Sequence, residues 1–293
     1  MLTGVQETIS SVATKIGDAI VGVGRRRHLG TGVVIAPNTV LTNAHNVYGS
    51  QSTVTFADGS SALGDVVGVD TDGDLAVIAV DTGEVAPVSW GDEAPTLGAP
   101  VIGLSNPGGR GLRVTIGYVS GVDRSFRGPR GRRISGSIEH TAPLLPGSSG
   151  GPIVDDAGRV LGVNTNRLGE GFYLAIAADE AMQERVKRLA AGDLPQRRHL
   201  GVSVVPGFVA RKMRRAVGLP DADGILVRGV ATDGPAAVAN LIEGDLLTRV
   251  GNHDITEVDD LHDALDAVTP GEPFVVGVLR GTEELELAVT IPD

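Results

Sequence analysis

The chain of 293 residues carries 25 basic and 36 acidic side chains, a net charge of −11, with 41% hydrophobic residues and no cysteine. That composition supplies packed cores and excludes a disordered chain, a disulfide scaffold, a thiol nucleophile and a cysteine zinc site. Its acidity argues against nucleic acid as a partner, because phosphate binding needs clustered Lys and Arg, and no uncharged run free of Gly and Pro is long enough to span a bilayer.

Val5, Ile9, Val12, Ile16 and Ile20 recur at helical spacing and predict a short helical segment within residues 1–20. This start shows no basic leader followed by a strong apolar block, so no export signal is visible. From residue 21 to 178 the pattern changes to short Val/Ile/Leu runs cut by Gly, Pro, Asn and Asp: GVVIAP, VLTNAH, LAVIAV, PVIGL, RVTIGYVSG, GPIVDD, RVLGVNT and FYLAIA. Many short strands at such spacing predict an all-β barrel or sandwich. Residues 179–191 predict a helix, acidic at its start and basic near its end. Gly192 and Pro195 end it and open a linker over 193–198. Residues 199–293 mix strands (HLGVSVV, GILVRGV, LLTRVG, PFVVGVLR, ELELAVTI) with helices (PAAVANL, VDDLHDALDAV), a small α+β domain. That stretch holds much of the negative charge, with 8 basic and 16 acidic residues from 198 onward against 17 and 20 before.

The sharpest chemical signal is Pro146-Gly147-Ser148-Ser149-Gly150-Gly151-Pro152. A serine in a glycine-rich turn between strands can expose its hydroxyl, while backbone N–H groups converge on one point as an oxyanion hole. Serine is a weak nucleophile until a base takes its proton. Of the six histidines, His45 is the best candidate, at the end of the apolar strand VLTNAH. His140 lies inside the strand-like SIEHT without an acidic partner in a comparable setting, and His28 follows three arginines. An imidazole base needs an orienting carboxylate shielded from water. Asp74, at the mouth of LAVIAV, meets that need better than Asp70 and Asp72, which sit farther back in a polar turn.

His45, Asp74 and Ser149 follow the chain order of the double β-barrel serine proteases. The blocks LTNAH, DLAVI and PGSSGGP, with Gly30-Thr31-Gly32-Val33-Val34-Ile35 upstream, resemble the active-site blocks of the HtrA/Deg family of serine endopeptidases. The second segment resembles the PDZ domain that follows the protease domain in that family. The resemblance implies a mainly β fold, a chymotrypsin-like double β-barrel over residues 21–192 followed by a PDZ domain over 199–293. It also implies an ATP-independent endopeptidase acting on unfolded or damaged proteins, with no metal or other cofactor. Its alternative is an inactive or latent peptide-binding protein on the same fold.

Carried over residue by residue, the resemblance makes Ser149 the nucleophile, His45 the general base and then acid, Asp74 the orienting carboxylate, and the amides of Gly147 and Ser149 the oxyanion hole. Phe172, Tyr173 and Leu174 fall where the family lines its first side-chain pocket. Pro143 stands where trypsin-like enzymes place an Asp, so small or medium aliphatic residues are the expected cleavage point. His199, Leu200, Gly201 and Val202 resemble a carboxylate-binding loop and peptide-pairing strand for peptide C-termini. Arg124, Arg127, Arg130, Arg132 and Arg133 fall in a segment, Asp123 to Gly136, that resembles the family's regulatory loop. Asn46 and Ser148 depart from the family's usual Val and Asn without touching the bond chemistry. By analogy the chain forms a homotrimer, although no aromatic precedes Tyr48. The same analogy places it outside the cytoplasm, against a cytoplasmic location if this N-terminus is native.

Overall fold

β-Branched runs broken by glycine and asparagine turns favour strands, and residues 20–79 use theirs to close one sheet on itself. β1 (Ile20–Arg25), β2 (His28–Ala36), β3 (Thr39–Thr42), β4 (Gln51–Thr55), β5 (Ser61–Asp70) and β6 (Leu75–Ala79) form an antiparallel barrel in the order β1-β2-β3-β6-β5-β4. Then β7 (Pro100–Ser105), β8 (Arg113–Arg127), β9 (Arg133–His140), β10 (Pro152–Val154), β11 (Val160–Arg167) and β12 (Tyr173–Ala177) close a second barrel, β10-β11-β12-β9-β8-β7. Read from β7, that is the strand order of the first barrel repeated. The computed structural model describes residues 2–25, 28–128, 131–193 and 198–292.

Aliphatic side chains such as Ile20, Leu41, Leu75, Ile78, Leu104 and Ile153 fill the interiors, all fully buried. With so few aromatics, the fit of branched side chains carries the packing. Two helices pack on these barrels. α1 (Leu2–Ile16) lies on the second-barrel side, where Lys15 donates to the Ala157 carbonyl at 2.8 Å, and buries Val12 and Ile16 in a core that both barrels share. α2 (Glu180–Ala190) buries Met182, Val186 and Leu189 there, with Asp179 capping its N-terminus through Met182 N. The helical period of the first segment stops four residues early. Gly17–Ala19 form a 3-10 turn and Ile20 opens β1, because its pairing with Val33 places it in the barrel interior.

Three further differences from the sequence reading have plain causes. β4 and β5 went unread because their Ser, Thr, Gly and Asp content hides the alternation. Asp70 is no turn residue: it ends β5, pairs with Leu75 and is buried. The arginine-rich segment is mostly a hairpin of β8 and β9, anchored where Phe126 and Ile134 pack on Leu174.

Residues 196–293 form a second compact unit. β13 (Val202–Val205), β14 (Ile225–Val230), β15 (Leu246–Val250), β17 (Pro273–Arg280) and β18 (Glu283–Thr290) make its sheet in that order, with β16 (His253–Asp254) paired to β15. α4 (Pro235–Val238) and α5 (Val258–Ala267) lie where sequence periodicity places helices. α3 (Gly207–Ala216) was masked by its arginines, one of which, Arg214, is buried and donates to the carbonyls of Pro220 and Gly281.

Candidate active site

β3 carries the chain into a short 3-10 turn, Ala44–Asn46, that presents His45. β6 begins just after Asp74, whose backbone sits in the left-handed region at φ +54°. Asp70 holds that turn by accepting from the amides of Asp72 and Gly73 at 3.1 and 2.9 Å, and Arg185 of α2 reaches its other oxygen at 3.2 Å. His45 Nδ1 then lies 2.9 Å from both Asp74 carboxylate oxygens, and the His45 amide donates to Oδ1 at 3.2 Å. A carboxylate only accepts, so Nδ1 carries the proton and Nε2 is left as the basic nitrogen of the neutral ring. Asp74 is wholly buried while the His45 side chain is 32% exposed. The carboxylate is therefore shielded from water while the imidazole keeps an open side.

The serine comes from the other barrel. Ser149 lies in the turn before β10, and its hydroxyl donates to the Thr165 carbonyl at 3.1 Å. The Thr165 hydroxyl donates in turn to Asp74 Oδ2 at 2.5 Å. Among the described residues no hydrogen bond joins Ser149 Oγ to His45 Nε2. The structure thus joins His45 to Asp74 directly, and Ser149 to Asp74 through Thr165.

Backbone conformation explains the glycines. Gly147 has φ +88° and a Cβ there would stand 2.9 Å from Pro107 Cβ; Gly150 has φ +89° and its Cβ would fall 2.0 Å from the Thr31 carbonyl oxygen. Both positions therefore demand glycine. Among the described residues the amides of Gly147 and Ser149 have no acceptor, so both remain available to an incoming oxyanion. The Ser149 carbonyl accepts from Thr31 N and from Asn46 Nδ2, each at 2.9 Å, and Thr31 Oγ1 donates to the Gly147 carbonyl at 2.8 Å. These bonds tie the serine turn to the first barrel. Ser148 is buried and donates to Ser105 Oγ at 3.0 Å.

Behind the turn, Asn164 of β11 brackets Gly150 and Gly151, and His140 of β9 donates to Asn164. Burial lowers the His140 pKa to about 4, outweighing the hydrogen bond to Asn164, which acts to raise it. Sequence reasoning missed Asn46, Thr165 and Asn164 as parts of this site and set His140 aside. The adjacent Asn164-Thr165 pair closing the apolar run VLGV is the one signal that points to them.

Residues 30–163 match the trypsin-like peptidase domain family, and residues 199–291 match the PDZ domain family. A DegP-like serine endoprotease of Halomonas elongata is 32% identical over 276 residues, which cover 92% of this chain and 57% of that protein. Protease Do-like 1 of Arabidopsis thaliana is 30% identical over 275 residues, 86% of this chain and 60% of that protein. The crystal structure of a serine endoprotease from Yersinia pestis superposes with TM-score 0.76 at 27% identity, covering 97% of both chains. This chain belongs to the HtrA/DegP-like family. A structure of the HtrA-type protease AlgW with a decapeptide shares the fold at TM-score 0.79 and 24% identity, over 97% of this chain and 98% of that one. The chain thus spans little more than half the length of the two curated relatives.

The other candidate residues of this HtrA-like chain are placed as follows. Tyr173 and Leu174 are buried, Tyr173 stacking on His140 and Leu174 packing under the hairpin, while Phe172 is exposed. Arg132 reaches Asp72 at 3.3 Å, Arg124 lies 3.7 Å from Glu139, Arg127 donates to the Gly131 carbonyl at 2.7 Å and Arg133 begins β9; Arg130 lies outside the described residues. In the second unit β13 is an edge strand. Leu200 is buried beside it, Gly201 has φ +76°, and His199 is exposed. Among the described residues the Leu200 and Gly201 amides have no acceptor.

Proposed function

We propose that this protein is a serine endopeptidase acting without ATP on unfolded or damaged proteins. The observation that carries the reading is the bidentate approach of His45 Nδ1 to a fully buried Asp74, with Ser149 held on the same carboxylate through Thr165. The Ser149 hydroxyl swings about its Cα–Cβ bond from the Thr165 carbonyl to His45 Nε2, gives up its proton there and attacks the scissile carbonyl. The carbonyl oxygen becomes an oxyanion received by the amides of Gly147 and Ser149. His45, now protonated, passes the proton to the leaving amine, and water repeats the sequence on the acyl-enzyme. Amide hydrolysis of this kind uses these side chains, the two backbone amides and water.

The free amides of Leu200 and Gly201 next to the open edge of β13 fit a peptide C-terminus, its carboxylate on the N–H groups and its chain added as a further strand. The Arg132–Asp72 ion pair, two residues before Asp74, supports a regulatory role for the β8–β9 hairpin. The assembly proposed is a homotrimer. A latent peptide-binding protein is the second reading, favoured by the Ser149 hydroxyl facing Thr165 rather than His45. A fluorophosphonate probe with an unfolded substrate digest decides between them. Labelling and fragments lost in Ser149→Ala establish the endopeptidase; an unlabelled wild-type protein establishes the latent state.

A further inference from the structure

We propose that His140 is a positioning residue: its ring fixes the orientation of the Asn164 side-chain amide, and Asn164 holds the Gly150–Gly151 segment behind the Ser149 nucleophile. This rests on the serine endopeptidase reading. His140 ends β9, is fully buried, and stacks on its cross-strand partner Tyr173 with centroids 5.8 Å apart at 27°. Its Nε2 lies 2.8 Å from Asn164 Oδ1, while its Nδ1 is buried and has no partner among the described residues. A carbonyl oxygen accepts only, so the ring holds its proton on Nε2. The reverse arrangement, with the Asn164 amide turned over, would set Oδ1 against the Gly151 carbonyl, to which Nδ2 now donates at 2.9 Å. The His140 donor and the Gly151 carbonyl therefore select the same amide orientation, and His140 supplies the hold on Oδ1.

That orientation matters because Asn164 meets the turn on three sides. Its amide N–H and its Nδ2 both donate to the Gly151 carbonyl at 2.9 Å, and its own carbonyl accepts from Gly150 N at 2.8 Å. The turn has no slack to absorb a loss here. A Cβ at Gly151 would stand 2.3 Å from the Leu104 carbonyl oxygen, nearly as crowded as the Gly150 position already described. An imidazole with one unpaired nitrogen in a buried site is costly compared with an aliphatic side chain, and such buried orphans in native proteins call for a reason. The donor at Nε2 is the feature that an aliphatic residue cannot supply.

Gln places its amide nitrogen near the position of Nε2, whereas the shorter Asn places it near that of Nδ1. His140→Gln therefore keeps the donor; His140→Asn and His140→Leu remove it, one keeping polarity and the other the apolar bulk. The readouts are kcat and KM on a peptide substrate, the acylation rate by a fluorophosphonate, and NMR hydrogen exchange of the Gly150 amide. In the donor-less variants kcat and acylation fall about tenfold, the factor that corresponds to one hydrogen bond, with KM within about twofold. Gly150 exchange quickens by a similar factor, and His140→Gln restores all three. In a double-mutant cycle His140→Leu adds nothing to Asn164→Leu. Wild-type rates in His140→Asn, no rescue by Gln, or losses that multiply in the double mutant overturn the proposal. Exchange at Gly150 reads it even if the wild-type serine is inert, which separates its failure from failure of the endopeptidase reading.

Discussion

The burial of His140 makes a signed statement about acid stability. Its pKa falls from 6.5 to about 4 in the folded protein, so between these values the unfolded chain binds a proton that the native one refuses. Stability is thus fully present above about pH 6.5 and is lost as the pH drops toward 4; below that both states are protonated and the loss stops growing. At roughly 1.4 kcal/mol per pKa unit, the loss is about 2 kcal/mol by about pH 5 and about 3 kcal/mol once the fall is complete. His140→Gln has nothing to titrate there and lacks this component. Trp90 is the chain's one tryptophan and packs against the core of the protease unit, so its fluorescence during urea unfolding reports that unit alone. The difference in unfolding free energy between wild type and His140→Gln should shrink or reverse by about 2 kcal/mol between about pH 8 and pH 5. A flat difference would mean that the imidazole is hydrated in solution, and the reasoning from burial would be wrong.

Asp74→Asn keeps the shape of the site but offers His45 a donor in place of an acceptor; turnover should drop by about four orders of magnitude with KM little changed, measured by initial rates. Asn46→Val removes one of two donors to the Ser149 carbonyl, and melting curves should register about 1 kcal/mol of destabilisation with slower acylation. In Gly150→Ala the new Cβ meets the Thr31 backbone, so the purified protein should resist fluorophosphonate labelling. In a peptide library, cleavage should fall after Val, Ala or Leu; cleavage after Arg at equal rate would show that Pro143 does not mark the pocket.

An all-β barrel or sandwich was legible because most strands are short branched-aliphatic runs with their own turns, and the three short blocks that carry His45, Asp74 and Ser149 resemble a double-barrel family. What stayed hidden is what spacing cannot show. Thr165 and Asn164 look like ordinary polar residues at a strand end; closure of the second barrel brings Asn164 against Gly151, and the meeting of the two barrels brings Thr165 against Asp74. Asn46 reads as the neighbour of a histidine until the two barrels meet and its amide finds the Ser149 carbonyl. α3 was lost for a different reason: a guanidinium on its inner face breaks the apolar period, and its burial is offset by the carbonyls of Pro220, just past the helix, and Gly281, distant in sequence.

The bonds from Thr31 and Asn46 to the Ser149 carbonyl have a consequence for the life of the molecule. In the proposed endopeptidase, half of the reactive apparatus belongs to residues 20–79 and half to residues 100–177, so neither portion would be armed alone. A chain emerging from the ribosome, or one whose two cylinders have slid apart under heat, carries a serine with no partner to activate it. Such a chain does no harm to its neighbours until folding is finished, and it falls silent again as soon as the fold gives way.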